Sequence, residues 1–301
     1  MKTTGIFGLI LLMVLVAACV PANQKIDEIS TPTEVPAIEE TVPPTEKARV
    51  SEQALQNMSY HSPFFGRTIQ LIEGVYSEDS MMAALLPEIA IGDLNEDKVP
   101  DAAVLLAENS GGTGTFVSLV VFVSSEGNFE QVGSIQIDDR PVIESLLLED
   151  GFIKLSAVVH GINDPMTSPT LKVKQTYTLL ENNLLLVRQT STIQGGTERI
   201  IVIDSPQSGS EISGYVRIVG SMPTAPFENN LRLRILDQTG KELFISGFMV
   251  TSEDMGAPAV FNNEILLPDL PSGTWVKLEL SDISMADGSL ISMNSVLVKI
   301  K

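Results

Sequence analysis

Cysteine is nearly absent, with one in 301 residues. A lone thiol makes no internal disulfide and no thiolate zinc cage. The 2 histidines leave few imidazoles for metal ligation or general-base catalysis. Basic residues are half as common as acidic ones, 19 against 38, so the formal charge is -19. Phosphates repel so acidic a chain, which excludes nucleic acid as an expected partner. No apolar run reaches the roughly 20 residues that a membrane-spanning helix needs. What is present is ordinary core material: 44% of residues are apolar. At about 150 residues per domain, the length suggests two domains.

Lys2 precedes the apolar run Ile6 to Val16, which ends in small residues. A basic start, a short apolar core and a small-residue end make residues 1–18 a signal peptide. Val16-Ala17-Ala18-Cys19 resembles the bacterial lipobox. The resemblance implies cleavage before Cys19 and lipid on its sulfur, with the membrane as a partner. At about 0.8 kcal/mol per buried methylene, several acyl chains anchor stably. The expected location is the extracytoplasmic face of a bacterial membrane, at the cell surface or in the periplasm. Val20 is not the aspartate that retains Gram-negative lipoproteins in the inner membrane.

Residues 19–50 are rich in Pro, Thr and Glu, with Pro21, Pro32, Pro36, Pro43 and Pro44 spread along them. Such a segment buries too little apolar surface to offset its ordering entropy. It reads as a linker or stalk, reaching at most about 90 Å at roughly 3.1 Å per residue.

Residues 51–192 read as a β-rich domain of unknown function. Ser51 to Met58 is a short helix candidate, and after it runs of Val, Ile and Leu alternate with turn residues. Strands are expected at 68–75, 88–91, 102–106, 116–123, 129–137, 142–148, 152–159, 171–179 and 184–190. Asp150-Gly151 and Asn182-Asn183 suit tight hairpin turns. The loop Asp93-Leu94-Asn95-Glu96-Asp97-Lys98-Val99-Pro100-Asp101 places oxygen side chains at alternate positions. It resembles the calcium loops of EF-hands and of β-propeller repeats, because Ca²⁺ takes six to eight hard oxygens at about 2.4 Å. The resemblance implies Asp93, Asn95, Asp97, the Val99 carbonyl and Asp101 as ligands. Lys98 stands where glycine usually makes the sharp turn, and Val104 stands where the bidentate glutamate belongs. An acidic turn leading into a strand is the alternative.

The glycines of Gly111-Gly112-Thr113-Gly114 precede a strand rather than a helix, so they read as a hairpin loop and not a phosphate cradle. The catalytic candidates are Asp138, Asp139, Arg140, His160 and Asp164. A histidine beside a carboxylate can act as a base, and paired carboxylates can cleave a glycan. Against that, Asp139-Arg140-Pro141 and Asn163-Asp164-Pro165 are turn sequences, and no nucleophile elbow or zinc-protease helix is present.

Several segments resemble a domain of uncharacterised bacterial lipoproteins, notably cyanobacterial ones. They are Gly92-Asp93-Leu94-Asn95 with 101–109, Gly111 to Phe116, Asp139-Arg140, His160-Gly161, Asn163 to Met166, Pro169-Thr170 and Tyr177. Relatives carry two adjacent cysteines where this chain has Thr167 and Ser168, so any chemistry of that pair is lost. The resemblance implies a fold-level grouping and no activity.

Residues 198–301 read as seven short strands joined by Gly, Pro and Asn turns, at 200–204, 215–219, 231–236, 243–250, 260–267, 275–280 and 296–300. That number over about 100 residues fits an immunoglobulin-like sandwich, with its core resting on apolar packing alone. Trp275 is expected in the core or at a strand edge. The region resembles the immunoglobulin-like domain named for bacterial spore germination. The resemblance rests on Ile203-Asp204-Ser205-Pro206 with Gly209, Val219-Gly220, Pro226-Phe227-Glu228, Asp237 with Gly240, Phe261, and Ser284 to Ser289. It implies an extracytoplasmic binding or assembly module without catalytic residues.

The expected fold is therefore mainly all-β, an antiparallel β-rich domain followed by the sandwich. The expected function is a membrane-anchored, non-catalytic binding or scaffolding module whose partner is an envelope protein or glycan. A surface hydrolase using Asp138, Asp139, His160 and Asp164 is one alternative; a calcium-stabilised spacer is the other.

Overall fold

The structure is a computed structural model that describes residues 50–125, 128–192 and 196–301. Cys19, the expected signal peptide and nearly all of the expected linker lie outside these residues. Ser51 caps a single helical turn, α1 (Glu52–Gln56), by accepting the Ala54 N–H. Strands follow almost without interruption. They are β1 (Ser59–His61), β2 (Thr68–Gln70), β3 (Val75–Glu78), β4 (Met81–Gly92), β5 (Asp101–Asn109), β6 (Phe116–Ser125) and β7 (Asn128–Asp139). Next come β8 (Val142–Glu149), β9 (Phe152–Val159), β10 (Leu171–Leu180) and β11 (Asn183–Thr192). The C-terminal set is β12 (Val202–Ser205), β13 (Glu211–Ile212), β14 (Tyr215–Met222), β15 (Asn230–Asp237), β16 (Glu242–Met249), β17 (Thr251–Ser252), β18 (Ala259–Leu266), β19 (Trp275–Ile283) and β20 (Leu290–Ile300).

Strands β3 to β7 form a meander in chain order. Its central strands have two buried faces. Ala103, Leu105, Leu119 and Val121 pack toward Ile153, Leu155, Val173 and Tyr177. Ala102, Val104, Leu106 and Phe122 pack on the other side with Leu55, Tyr60, Ile69 and Leu71 from α1 and the β1–β2 hairpin. This explains why β5 reads as a continuous apolar run rather than an alternation.

The C-terminal residues make two facing sheets, one of β12, β14, β18 and β17, the other containing β16, β15, β19 and β20. Ile218, Met222 and Phe261 meet Leu233, Ile235, Leu278 and Val298 in a shared core. This is the immunoglobulin-like sandwich anticipated from strand count. The mainly all-β class also stands.

The second sheet does not stop at the sandwich. Its order runs β16-β15-β19-β20-β11-β10-β9-β8, so strands of the first region continue it. The join is short: only Arg188 with Asn294 and Gln189 with Met293 pair across β11 and β20. Side chains extend it. Ser295 Oγ donates to the Val187 carbonyl at 2.8 Å, Gln189 Nε2 to the Leu290 carbonyl at 3.1 Å, and Lys277 Nζ to the Leu186 carbonyl at 2.9 Å.

Candidate functional site

The Asp93–Asp101 loop spends its acceptors on its own backbone. Asp93 accepts the Asp97 and Lys98 N–H groups, and Asp97 accepts the Val99 N–H at 2.7 Å. Asn95 Oδ1 accepts Asp97 N–H. Both oxygens of the buried Asp101 turn inward, to Leu94 N–H and Ser124 N–H at 2.9 Å each. Burial pushes its carboxyl pKa up, against those two bonds. Lys98 takes the left-handed conformation, with φ of 68°, that glycine was expected to supply. Among the described residues, no three acidic, histidine or cysteine side chains are grouped to hold a metal ion. Of the expected ligands, Asp101 is committed to two buried N–H groups, while Asp93, Asn95, Asp97 and Val99 lie in the exposed turn. Millimolar calcium is expected to leave the melting temperature unchanged. A rise reversed by chelator, the signature of binding to the native state, would bear out the calcium reading.

The glycine loop is a hairpin connection, held by Asn109, whose Nδ2 donates to the Gly112 carbonyl and whose Oδ1 accepts Gly111 N–H.

The catalytic candidates separate into two structural devices and one pair. Asp139 binds Arg140 at 2.7 Å and accepts Thr115 N–H. Burial raises its pKa, but these partners hold it below the usual carboxylate range. Asp164 accepts Gly161 N–H at 2.8 Å and both the N–H and the hydroxyl of Thr170, which together depress its pKa. It closes a loop. The pair is Asp138 and His160. Asp138 Oδ2 lies 2.8 Å from His160 Nδ1 and also accepts the His160 backbone N–H. The ring is thereby fixed, with Nδ1–H toward the carboxylate and Nε2 turned away from it. That Nε2 is buried and has no hydrogen-bond partner.

His160 and Asp164 border a concave end of a larger groove. One cavity of about 440 Å³ is lined by His160, Asp164, Met166, Gln175, Gln189 and Asp287. A second, of about 500 Å³, shares Gly161, Ile162, Leu171, Ser289 and Leu290 with it and continues past Arg199 and Thr224. A third, of about 360 Å³, shares Arg199, Gly256, Ser284 and Ile291 with the second and ends among Phe227, Met255 and Met285. The groove thus runs between the β9–β10 loop and one loop end of the sandwich. Large apolar side chains stand exposed along it: Met255 is 87% exposed, Met285 74% and Met166 64%. Methionine is flexible and polarizable, and it recurs at adaptable binding surfaces.

Below the groove lies Arg199, which bonds Asp282 at 2.6 Å and the Ala225 carbonyl. Burial raises the Asp282 pKa, opposed by the Arg199 charge. Neither residue was singled out from sequence. Trp275 is half-buried at the start of β19 and is not among the groove residues.

Two facing sheets with their core between them define the C-terminal region as an immunoglobulin-like module. Residues 200–289 match the family model described as the immunoglobulin-like domain of bacterial spore germination. The match takes in Thr224 to Phe227, Met255, Gly256 and Ser284 to Ser289 of the groove and agrees with the resemblance read from the sequence. No curated protein matches the chain.

Proposed function

We propose that this chain is a lipid-anchored extracytoplasmic module that recognises an envelope partner along the groove and performs no chemistry on it. One observation carries the reading: a continuous groove rimmed by exposed Met166, Met255, Met285 and Phe227. Contiguous exposed apolar surface of this kind marks an interaction site. The immunoglobulin-like match supports a binding role. The Asp138–His160 pair supports it as well, because a general base must reach its proton, and Nε2 is sealed from solvent. Asp139 and Asp164 are bound up in loop contacts, which weakens the hydrolase alternative. The anchor rests on the lipobox around Cys19 and the linker behind it.

One experiment in living cells tests both halves. A photo-crosslinking residue at Met255 or Met166 should yield discrete adducts with an envelope component. The same residue at Met82, exposed on β4, should not. The wild-type chain should sediment with membranes and the Cys19→Ser variant should not. Equal labelling from all three positions defeats the groove, and membrane retention of Cys19→Ser defeats the anchor.

A further inference from the structure

We infer that the groove's occupant is a basic, amphipathic polypeptide segment, one that sets apolar side chains on the methionine rim and lysine or arginine toward its acidic border. This rests on the groove reading above and adds the chemistry of the partner.

The apolar half of the argument is the rim already described. The polar half is charge. Asp164 and Asp287 line one end. Both carboxyls are held below the usual range, Asp164 first by the Gly161 N–H and Asp287 first by the Ser284 side chain, so both stay ionised at neutral pH. At the other end, exposed Glu253 and Asp254 adjoin Met255, and exposed Glu228 adjoins Phe227. Among the described lining residues of the groove, Asp164, Asp282 and Asp287 are acidic and Arg199 is the one permanent cation. That cation is committed to Asp282. An acidic peptide would meet repulsion at both ends. A purely apolar one would cover the carboxylates at the two ends without supplying them a counter-charge. A basic amphipathic segment satisfies both features, since complementary charge selects the partner and apolar contact holds it. The -19 charge of the whole chain steers such a segment toward the protein, but the groove decides where it settles.

The test uses short fluorescent peptides, capped at both ends, with the full chain, read by anisotropy. The probe alternates leucine with lysine. Two controls replace lysine by glutamine or leucine by glycine. The leucine–lysine peptide should bind, and each control should bind at least about tenfold more weakly. Met255→Lys should weaken the probe about tenfold, whereas Met82→Lys should leave it unchanged. Circular dichroism melts of both variants check that each is folded. Equal binding of the glycine–lysine peptide would show bulk charge attraction and overturn the inference. So would equal binding of the leucine–glutamine peptide, or equal loss in the two lysine variants. If crosslinks form at Met255 in cells while the probe fails to bind, the groove stands and its partner chemistry falls. If the crosslinked species is a second copy of this chain, the basic partner falls as well. If no crosslink forms, the groove reading itself fails.

Discussion

Gly220→Ala is expected to cost about 3 kcal/mol and to lower the melting temperature by several degrees, the result of overpacking that backbone cannot relieve. Gly220 lies in β14, opposite Ile203 on β12 and Phe261 on β18. A Cβ placed there would sit 2.0 Å from the Val202 carbonyl oxygen and 2.5 Å from the Phe261 ring. The ring is buried and edge-packed on Phe248, with centroids 5.4 Å apart, so it has nowhere to turn. The carbonyl belongs to the chain itself, so β12 must move off the sheet as a unit. Gly112→Ala is the matched control. Nothing lies within 4 Å of its added Cβ, and its stability should change by less than about 0.5 kcal/mol. Chemical denaturation of both variants decides the matter. Equal midpoints would mean that β12 is not held as close as the structure places it.

Gly220 also shows what the sequence tells and what it withholds. Val219-Gly220 belongs to the pattern that resembles the spore-germination domain, yet only the approach of Val202 explains why a glycine stands in the middle of a strand. Strand positions were legible because Val, Ile and Leu runs end at turn residues; β9 occupies the expected 152–159. Boundaries failed where backbone chemistry intervened. The single strand expected at 68–75 is broken by Glu73 and Gly74, both at positive φ. The strand expected at 88–91 begins earlier, at Met81, because Pro87 sits inside a bulge where no ladder N–H is required. The second hairpin turns at Glu181-Asn182 rather than Asn182-Asn183.

The groove itself was beyond sequence reading. Its walls come from residues near 160–171, 199, 224–227, 255–256 and 284–291, and no periodicity links loops so far apart. His160 and Asp164 were found because their residue types suggest chemistry. Met166, Met255 and Met285 were not, because an isolated methionine in a loop carries no signal until its neighbours are known. The polar residues of β19 carry no such signal either. Lys277, Glu279 and Ser281 alternate with Val276, Leu278 and Leu280, a pattern that normally marks a solvent-facing side. All three are buried in the folded chain.

That burial sets up the other large effect. Glu279→Leu is expected to cost about 3–5 kcal/mol, because it leaves a buried lysine without its counter-ion. Lys277 Nζ lies 2.9 Å from Glu279 Oε2 and also donates to the Leu186 carbonyl across the join with β11. Arg234 Nε donates to the opposite Glu279 oxygen at 2.8 Å, so the carboxylate is shared by two cations. Burial pushes the Glu279 pKa up, but the Lys277 charge, with the bonds from Lys277 and Arg234, holds it below the usual range. A carboxyl with a depressed folded pKa gives stability that is complete above its unfolded pKa and lost as pH falls through the folded value. The gap between wild type and Glu279→Leu should therefore be widest near neutrality and should narrow in acid, once Glu279 is protonated in both states. Adding Lys277→Met to Glu279→Leu should recover much of the loss, because an apolar pair of similar volume carries no buried charge, while Arg234, partly exposed, can hydrate. Denaturant titrations at neutral and acid pH provide the comparison. A single variant as stable as wild type, or a double variant no better than the single, would mean that the ion cluster is not what ties β19 to the join between the two regions.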